Sequence, residues 1–333
     1  MGEQQLSDLE QQPDLLGCTQ QSIELSAEVP LEALGKRLDA AAAQLFPDYS
    51  RGRLQSWIKT GELRVNGEPG QAKQKLRGGE LLSLAAQLEE QGDWQAEPMD
   101  LEVVYEDDSL IVINKPAGLV VHPAVGNRSG TLLNGLLFRY PELVQVPRAG
   151  IVHRLDKDTT GLMVVARTLT AQTSLVGQLQ ARTVSRQYEA VVVGEPTAGG
   201  SIDEPIGRHP KQRKLMAVVA NGKPAISHFS ILQRFPGYTH LAVKLETGRT
   251  HQIRVHMAHK RWPLVGDATY GGRARPFKGC PPVLAEAIAS FPRQALHARE
   301  LALLHPVTEQ LMHWQVDRPK DLQQLLDAFK AGV

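Results

Sequence analysis

Residues 150–161 read GIVHRLDKDTTG and set one carboxylate, Asp156, among His153, Arg154 and Lys157, directly after an apolar Ile-Val pair. Cations this close favour the charged form of an acid. A carboxylate held anionic can attack an electrophilic carbon or stabilise an oxocarbenium-like sugar, as in glycosidic bond cleavage. Hydrolases of that kind need a second carboxyl to give up a proton. Asp158 is the nearest candidate, but beside Lys157 it is the more natural turn former. An aspartate before Thr-Thr-Gly equally suits an Asx-turn or cap, in which Asp156 only folds the loop. On residue types and spacing both roles remain open.

A second cluster, GRTHQIRVHMAHKRWPLVGD at 248–267, holds Arg249, Arg254, His251, His256 and His259. Either arginine can grip a carboxylate in bidentate geometry or touch a phosphate. The spacing of His251 and His256 suits neither one helix face nor one strand face, and no H-E-x-x-H or cysteine pair accompanies them. The expectation is no metal, with the imidazoles bonding RNA, backbone or core. Tyr188, in SRQYEAVVVG, is either a core strand residue or an aromatic face for an extruded base.

The elements that position these groups follow from apolar periodicity. Runs at 101–106, 110–114, 119–122, 162–166, 188–194 and 241–246 predict strands, and those at 131–140 and 170–182 predict helices. The H-R-L-D segment reads as a polar turn between an incoming and an outgoing strand. Strands and helices do not alternate regularly, so the fold is expected to be mixed α+β with a largely antiparallel sheet rather than a doubly wound nucleotide fold. Neither G-x-x-x-x-G-K-[ST] nor G-x-G-x-x-G is present, and no nucleotide cofactor is implied.

Upstream, Leu34, Leu38, Ala41, Ala42 and Leu45 recur at helical spacing. SRGRLQSWIKTG at 50–61 predicts a second helix, with Ser50 as N-cap and Gly61 as stop. Asn66-Gly67 marks a hairpin, and GELLSL a further strand. The organisation expected is a loose tail over 1–22, a small module over 23–85, an acidic linker over 86–99 and a large domain over 100–325. Within the last, 273–292 reads as a long loop open to RNA contact.

With 333 residues, 42% hydrophobic and 22% charged, the chain has the composition of an ordinary soluble protein. No apolar run approaches membrane-helix length, and the acidic, Gln-rich start does not resemble a signal peptide, so a cytoplasmic protein is expected. Cys18 and Cys280 lie too far apart to suggest a redox or metal pair. The net charge of +1 hides a segregation: residues 1–35 carry seven acids and no Lys or Arg. Arg51, Arg53, Lys59, Arg64, Lys73, Lys75 and Arg77 then face only Glu62 and Glu68. Further basic clusters lie at Arg208, Lys211, Arg213 and Lys214, and around Arg249 to Arg261. Patches of this kind neutralise phosphates although the whole molecule is nearly neutral.

Residues 24–84, through KRLDAAAAQLF, SRGRLQSWIKTGELRVNG and KLRGGELLSL, resemble an S4 RNA-binding domain. The resemblance implies that its basic helix and hairpin grip structured RNA. Further on, INKPAGLVVHP, GIVHRLDKDTTGLMVVAR, RQYEAVVVG, LETGRTHQIRVHMAHKRWPLVGDATYGG and RQALHARELALLHP resemble, in order, the ribosomal large-subunit pseudouridine synthases of the RluA type. That resemblance implies an isomerase which breaks the N1–C1′ bond of uridine, turns the base and rejoins it through C5, without cofactor or metal.

The resemblance makes Asp156 the essential carboxylate, which displaces the Asx-turn reading. It makes Tyr188 the ring that stacks on the uracil, Arg249 the partner of Asp156 with Arg254 as second choice, and Arg154 the side chain that fills the gap of the flipped base. His153, Arg254 and the basic residues of the module are expected at the RNA. The partner implied is large-subunit ribosomal RNA or an assembly intermediate, in particular its helix 69 stem-loop, met by a monomeric protein. Thr160, Arg167 and Arg186 depart from the residues usual in the family without removing any of these groups.

Overall fold

A computed structural model describes residues 22–47, 49, 51–87, 94–123, 127–212, 214–271 and 276–332. The expected tail before residue 22, Cys18, the Ser50 cap, residues 88–93 of the expected linker, Arg213 and the 272–275 stretch lie outside the described residues. The chain divides near residue 90 into two compact units.

The first unit runs β1 (Ser22–Glu28), α1 (Leu38–Leu45), α2 (Arg51–Thr60), β2 (Leu63–Val65), β3 (Glu68–Pro69) and β4 (Leu81–Gln87). Its antiparallel sheet has the order β1-β4-β2-β3. The helices bury Leu38, Ala41 and Ala42 from α1 and Leu54, Trp57 and Ile58 from α2. The hairpin turns at Asn66 (φ 52) and Gly67 (φ 80), the left-handed pair that a two-residue turn demands. Leu34 does not join α1: Gly35 at φ 77 breaks the chain there, leaving Leu34 68% exposed.

In the second unit come β5 (Val103–Glu106), β6 (Leu110–Lys115), α3 (Leu132–Arg139), β7 (Thr160–Ala166), α4 (Leu169–Gln180) and β8 (Ser185–Val193). β9 (Gly200–Asp203), β10 (Ile206–Arg208), β11 (Met216–Val218), β12 (Ile226–Phe235), β13 (Tyr238–Leu245) and α5 (Gln252–His259) follow. The chain closes with α6 (Pro282–Ser290), β14 (Leu296–Leu304), β15 (Leu311–Gln315) and α7 (Lys320–Ala331). A nine-stranded sheet has the order β5-β6-β7-β14-β8-β13-β12-β9, with β15 on β14. Only the β14–β7 pairing is parallel. The fold is therefore mixed α+β and largely antiparallel.

Burial on both faces explains the unbroken apolar runs of β6 and β7. Ile111, Ile113, Met163 and Val165 pack on one face with the leucines of α3, and Leu110, Val112, Leu162 and Val164 on the other with Ala171 and Leu175 of α4. β14 enters between β7 and β8 so closely that a Cβ at Gly161 (φ 112) would stand 2.2 Å from the Ala298 carbonyl oxygen. That insertion, which joins residues more than a hundred positions apart, leaves no local mark in sequence.

Several expectations are corrected. Residues 119–122 form no strand; only Val120 bridges, to Thr131. The segment entering the H-R-L-D turn is a 3-10 turn over Pro147–Gly150 with a single bridge from Ile151 to Val165, because Arg148 and Ala149 adopt positive φ. Residues 94–99 are not a free linker: Trp94 and Met99 pack on the core, and the Asn134 amide donates to the Gln95 carbonyl at 2.7 Å. Much of 273–292 is α6, whose Leu284 and Ile288 pack with Leu322, Leu326 and Phe329 of α7. The second unit thus extends past residue 325.

Candidate active site

The H-R-L-D loop takes its shape from alternating burial. Leu155 is 4% exposed and joins the core, while the His153 ring turns inward, its Nε2 accepting the Val164 N–H at 3.1 Å. Arg154 is left exposed and Asp156 half-buried. The backbone does form a turn, with the Thr159 N–H donating to the Asp156 carbonyl at 3.1 Å. The side-chain carboxylate takes no part in it.

Groups distant in sequence hold this loop. Lys115 is 1% exposed and donates to the carbonyls of Pro116, Leu119 and Lys157 at 2.7, 2.9 and 2.8 Å. Burial pushes its ammonium down to about 8, although Asp158 and Asp156 oppose the shift. Arg293 reaches the Asp158 carbonyl at 3.2 Å, Gln294 the Thr159 hydroxyl at 3.0 Å, and His297 the Thr160 hydroxyl at 2.9 Å.

The partner of Asp156 is Arg254, not Arg249. Arg254 Nη1 donates to Asp156 Oδ2 at 3.0 Å, while its Nε and Nη2 donate to the two oxygens of Asp267 at 2.7 and 2.9 Å. One carboxylate clamps the guanidinium in bidentate geometry, and the remaining nitrogen is aimed at the other. Asp267 is itself fixed by the N–H groups of Thr269 and Tyr270 at 3.0 and 3.1 Å. Burial works against the charge on Arg254, but Asp267 and then Asp156 outweigh it and raise its pKa. Arg249 lies in the turn before α5, where its Nε donates to the Pro224 carbonyl at 3.0 Å. Asp267 closes the segment 248–267 that sequence reasoning singled out, but a lone aspartate after Val-Gly gives no sign of which arginine it holds.

His251 begins α5 in a left-handed conformation (φ 57, ψ 24), a strain a non-glycine residue bears only where its surroundings enforce it. Its Nε2 lies 3.8 Å from Asp156 Oδ1, and its Nδ1 is 2.7 Å from the Tyr270 hydroxyl. The Met216 N–H donates to that hydroxyl at 3.0 Å. Burial lowers the pKa of His251 against the pull of Asp156. His256 is used within the core, its Nδ1 on the Ser227 hydroxyl at 2.9 Å and its Nε2 on the Glu204 carbonyl at 3.0 Å.

Asp156, Tyr188 and Arg254 line one cavity of about 610 Å³, a size that suits a nucleoside. Six arginines and two carboxylates line it, so its field favours an anionic polymer. Its histidines add no charge near neutral pH: burial pushes His122 to about 4 and His153 to about 3, with Arg148 and Arg186 respectively adding to the shift. With Nε2 spent on Val164, His153 braces the loop from within the cavity lining. Burial raises the Tyr188 hydroxyl, which is therefore a neutral phenol.

In the first unit Lys59, Arg64, Lys73, Lys75 and Arg77 are exposed, as RNA contacts require. Arg53 lies over the Trp57 ring at 5.1 Å. Arg51 is committed to Asp39, a carboxylate with 0% exposure that sequence reasoning passed over, at 3.0 Å.

The family described as RNA pseudouridylate synthase matches residues 109–259, which contain the H-R-L-D loop, Tyr188 and Arg254. The chain is 57% identical over 312 residues to ribosomal large subunit pseudouridine synthase D of Pseudomonas aeruginosa, covering 92% of this chain and 96% of that protein. The chain belongs to the RNA pseudouridylate synthase family. The protein of the same description in Escherichia coli (strain K12) is 52% identical, over 93% of this chain and 96% of that one. Among solved structures, human RNA pseudouridylate synthase domain containing 4 superposes with a TM-score of 0.54 at 26% identity, over 69% of this chain and 93% of that chain. As a pseudouridine synthase the protein is an enzyme, an isomerase of uridine in RNA. Asp267 and the α6–α7 layer lie beyond the matched segment of the synthase family.

Proposed function

We propose that this synthase isomerises uridines in large-subunit ribosomal RNA, in the helix 69 stem-loop, with Asp156 as the essential carboxylate. One observation carries the reading: the Asp156 carboxylate is held by an arginine that a second carboxylate clamps, in a cavity that also contains Tyr188. Such a carboxylate acts on a nucleotide drawn out of the helix, because a stacked base hides its glycosidic bond and extrusion costs only a few kcal/mol.

Each neighbouring group takes a role from its place. Tyr188 offers its ring to the uracil, and the exposed Arg154 beside Asp156 can stack in the space the base vacates. Arg254 keeps the carboxylate aimed. The basic surface of the first unit, an S4-like module in this reading, supplies phosphate contacts that fix register. Support for the RNA comes from the 57% identical relative, whose description names the large ribosomal subunit.

Tritium release from RNA labelled at uridine C5 tests the reaction. Loss of label without free uracil is the expected result; free uracil means hydrolysis, and neither means a binding protein alone. Asp156→Asn is expected to cut turnover by about a thousandfold or more, the scale of an essential nucleophile or base, while RNA affinity stays within about twofold. Mapping pseudouridines in cells lacking the gene tests the site, and unchanged helix 69 uridines would defeat it.

A further inference from the structure

The cations buried in the second unit are matched almost without exception. Lys115 has three carbonyls, Arg254 two carboxylates, and Arg293 the Asp321 carboxylate together with carbonyl oxygens. Arg186 differs. It is 6% exposed, yet its Nε has no hydrogen-bond partner, and its Nη2 makes only one long bond, 3.3 Å to the Glu246 carbonyl. Among the described residues no carboxylate lies within ion-pair distance of it. A buried cation without a counter-charge is costly, so it persists where a ligand supplies one.

Its position says which ligand. Arg186 stands two residues before Tyr188 on β8, so the two side chains share one face of the strand, and both line the cavity. They are equally deep, each 6% exposed. Arg182, by contrast, keeps 44% of its side chain exposed at the rim, and Arg154 and Arg249 are also more exposed, as phosphate contacts should be. Gly248 makes room for the guanidinium: a Cβ there would lie 2.8 Å from Arg186 Nη1.

Resting on the uridine-isomerase reading above, we propose that Arg186 is a further catalytic residue, which hydrogen-bonds the carbonyl oxygens of the uracil and stabilises the negative charge they gain when the base leaves its ribose. When N1–C1′ breaks heterolytically the electron pair stays on the base, spread from N1 over O2 and O4. The base turns, C5 attacks C1′, the C5 proton passes to water and N1 takes up a proton. One C–N bond is exchanged for one C–C bond, and no oxidant or reductant is needed. If Asp156 instead adds to the ring, the charge again falls on a carbonyl oxygen. A guanidinium preorganised at that point binds the charged base better than the neutral one, which raises turnover rather than affinity.

The test is single-turnover tritium release from C5-labelled RNA, with RNA affinity measured at two salt concentrations on the same preparations. Arg186→Gln is expected to slow release about a hundredfold, the scale of losing one preorganised donor, with affinity and its salt dependence unchanged. Arg186→Lys, which keeps the charge, is expected to recover most of the rate. Gly248→Ala, which leaves Arg186 in place but displaces its guanidinium, is expected to slow release about tenfold, and it carries the test if the glutamine variant does not fold. Wild-type rates in Arg186→Gln, or a lysine variant as slow as the glutamine one, would overturn the proposal. A loss of affinity with a shallower salt dependence would assign Arg186 to a phosphate instead and overturn it too. Failure of the wild-type protein to release tritium would sink the isomerase reading itself, a distinct result.

Discussion

The two units use positive charge in opposite ways. In the first, Lys59, Lys73, Lys75 and Arg77 stand exposed, where each acts by number and is screened by salt. In the second, Lys115 and Arg254 are 1% and 6% exposed and act by position, each holding a particular oxygen in a particular place. On the function proposed above, the same residue types serve recognition where they are solvated and hold the catalytic loop where they are not. Arg51 crosses the division: it lies on the basic helix, yet spends its guanidinium on the buried Asp39.

Breaking the clamp should have the largest effect. Asp267→Asn keeps the shape but removes the charge that holds Arg254, so kcat is expected to fall about a hundredfold with KM within about twofold, because a misplaced carboxylate costs turnover and not binding. Loss of one partner of a buried ion pair should also lower stability by about 3–5 kcal/mol, read by urea unfolding. An unchanged kcat would mean that Arg254 aims Asp156 without help.

Lys115→Met comes next. It leaves three carbonyls without a donor, and unsatisfied buried groups of this kind cost about 1–3 kcal/mol each, so unfolding in urea should show a loss of at least about 2 kcal/mol. The pH dependence has a defined sign. The ammonium titrates at about 8 in the folded protein and at 10.5 when free, so between these values the unfolded chain binds more protons. Stability of the wild type relative to Lys115→Met should therefore rise with pH over that window.

Asp39 sharpens the comparison from the first unit. Burial raises its pKa, but hydrogen bonds from Gln55, Arg37 and Arg51 prevail and bring it from 3.8 to about 2. The stabilisation is complete above the unfolded value and is lost as pH falls through the folded one. The stability gap between wild type and Asp39→Asn should narrow from pH 4 to pH 2. The smallest effects belong to the solvated cations. Lys73→Ala and Lys75→Ala should each reduce the salt slope of RNA binding by about one and leave kcat alone.

Helices and strands with strong periodicity were legible because their own side chains decide them. α2, the Asn66-Gly67 hairpin, β6, β7, β8, α3 and α4 all lie where apolar spacing and breakers put them. Elements set by distant partners were not. Residues 119–122 have the apolar content of a strand but no neighbour to pair with, and the β14 insertion depends on Gly161 accepting a backbone from 137 positions away. In the site, a carboxylate among cations was visible as Asp156, and the identity of its partner was not. Arg249 and Arg254 differ little as letters; one enters a turn and the other the buried face of α5. Asp267 and Lys115 lie inside segments that carry the family resemblance, but their letters give them no role; their burial and their partners do.

The chain's letters alone determined the fold class and the family and singled out Asp156 as a candidate, because periodicity and short motifs are local properties that survive without knowledge of contacts. Tertiary structure decided which guanidinium faces that acid, which histidines are spent on the backbone, and that Arg186 stands deep and unmatched. Those are matters of distance and solvent exclusion, and charge interactions depend on both.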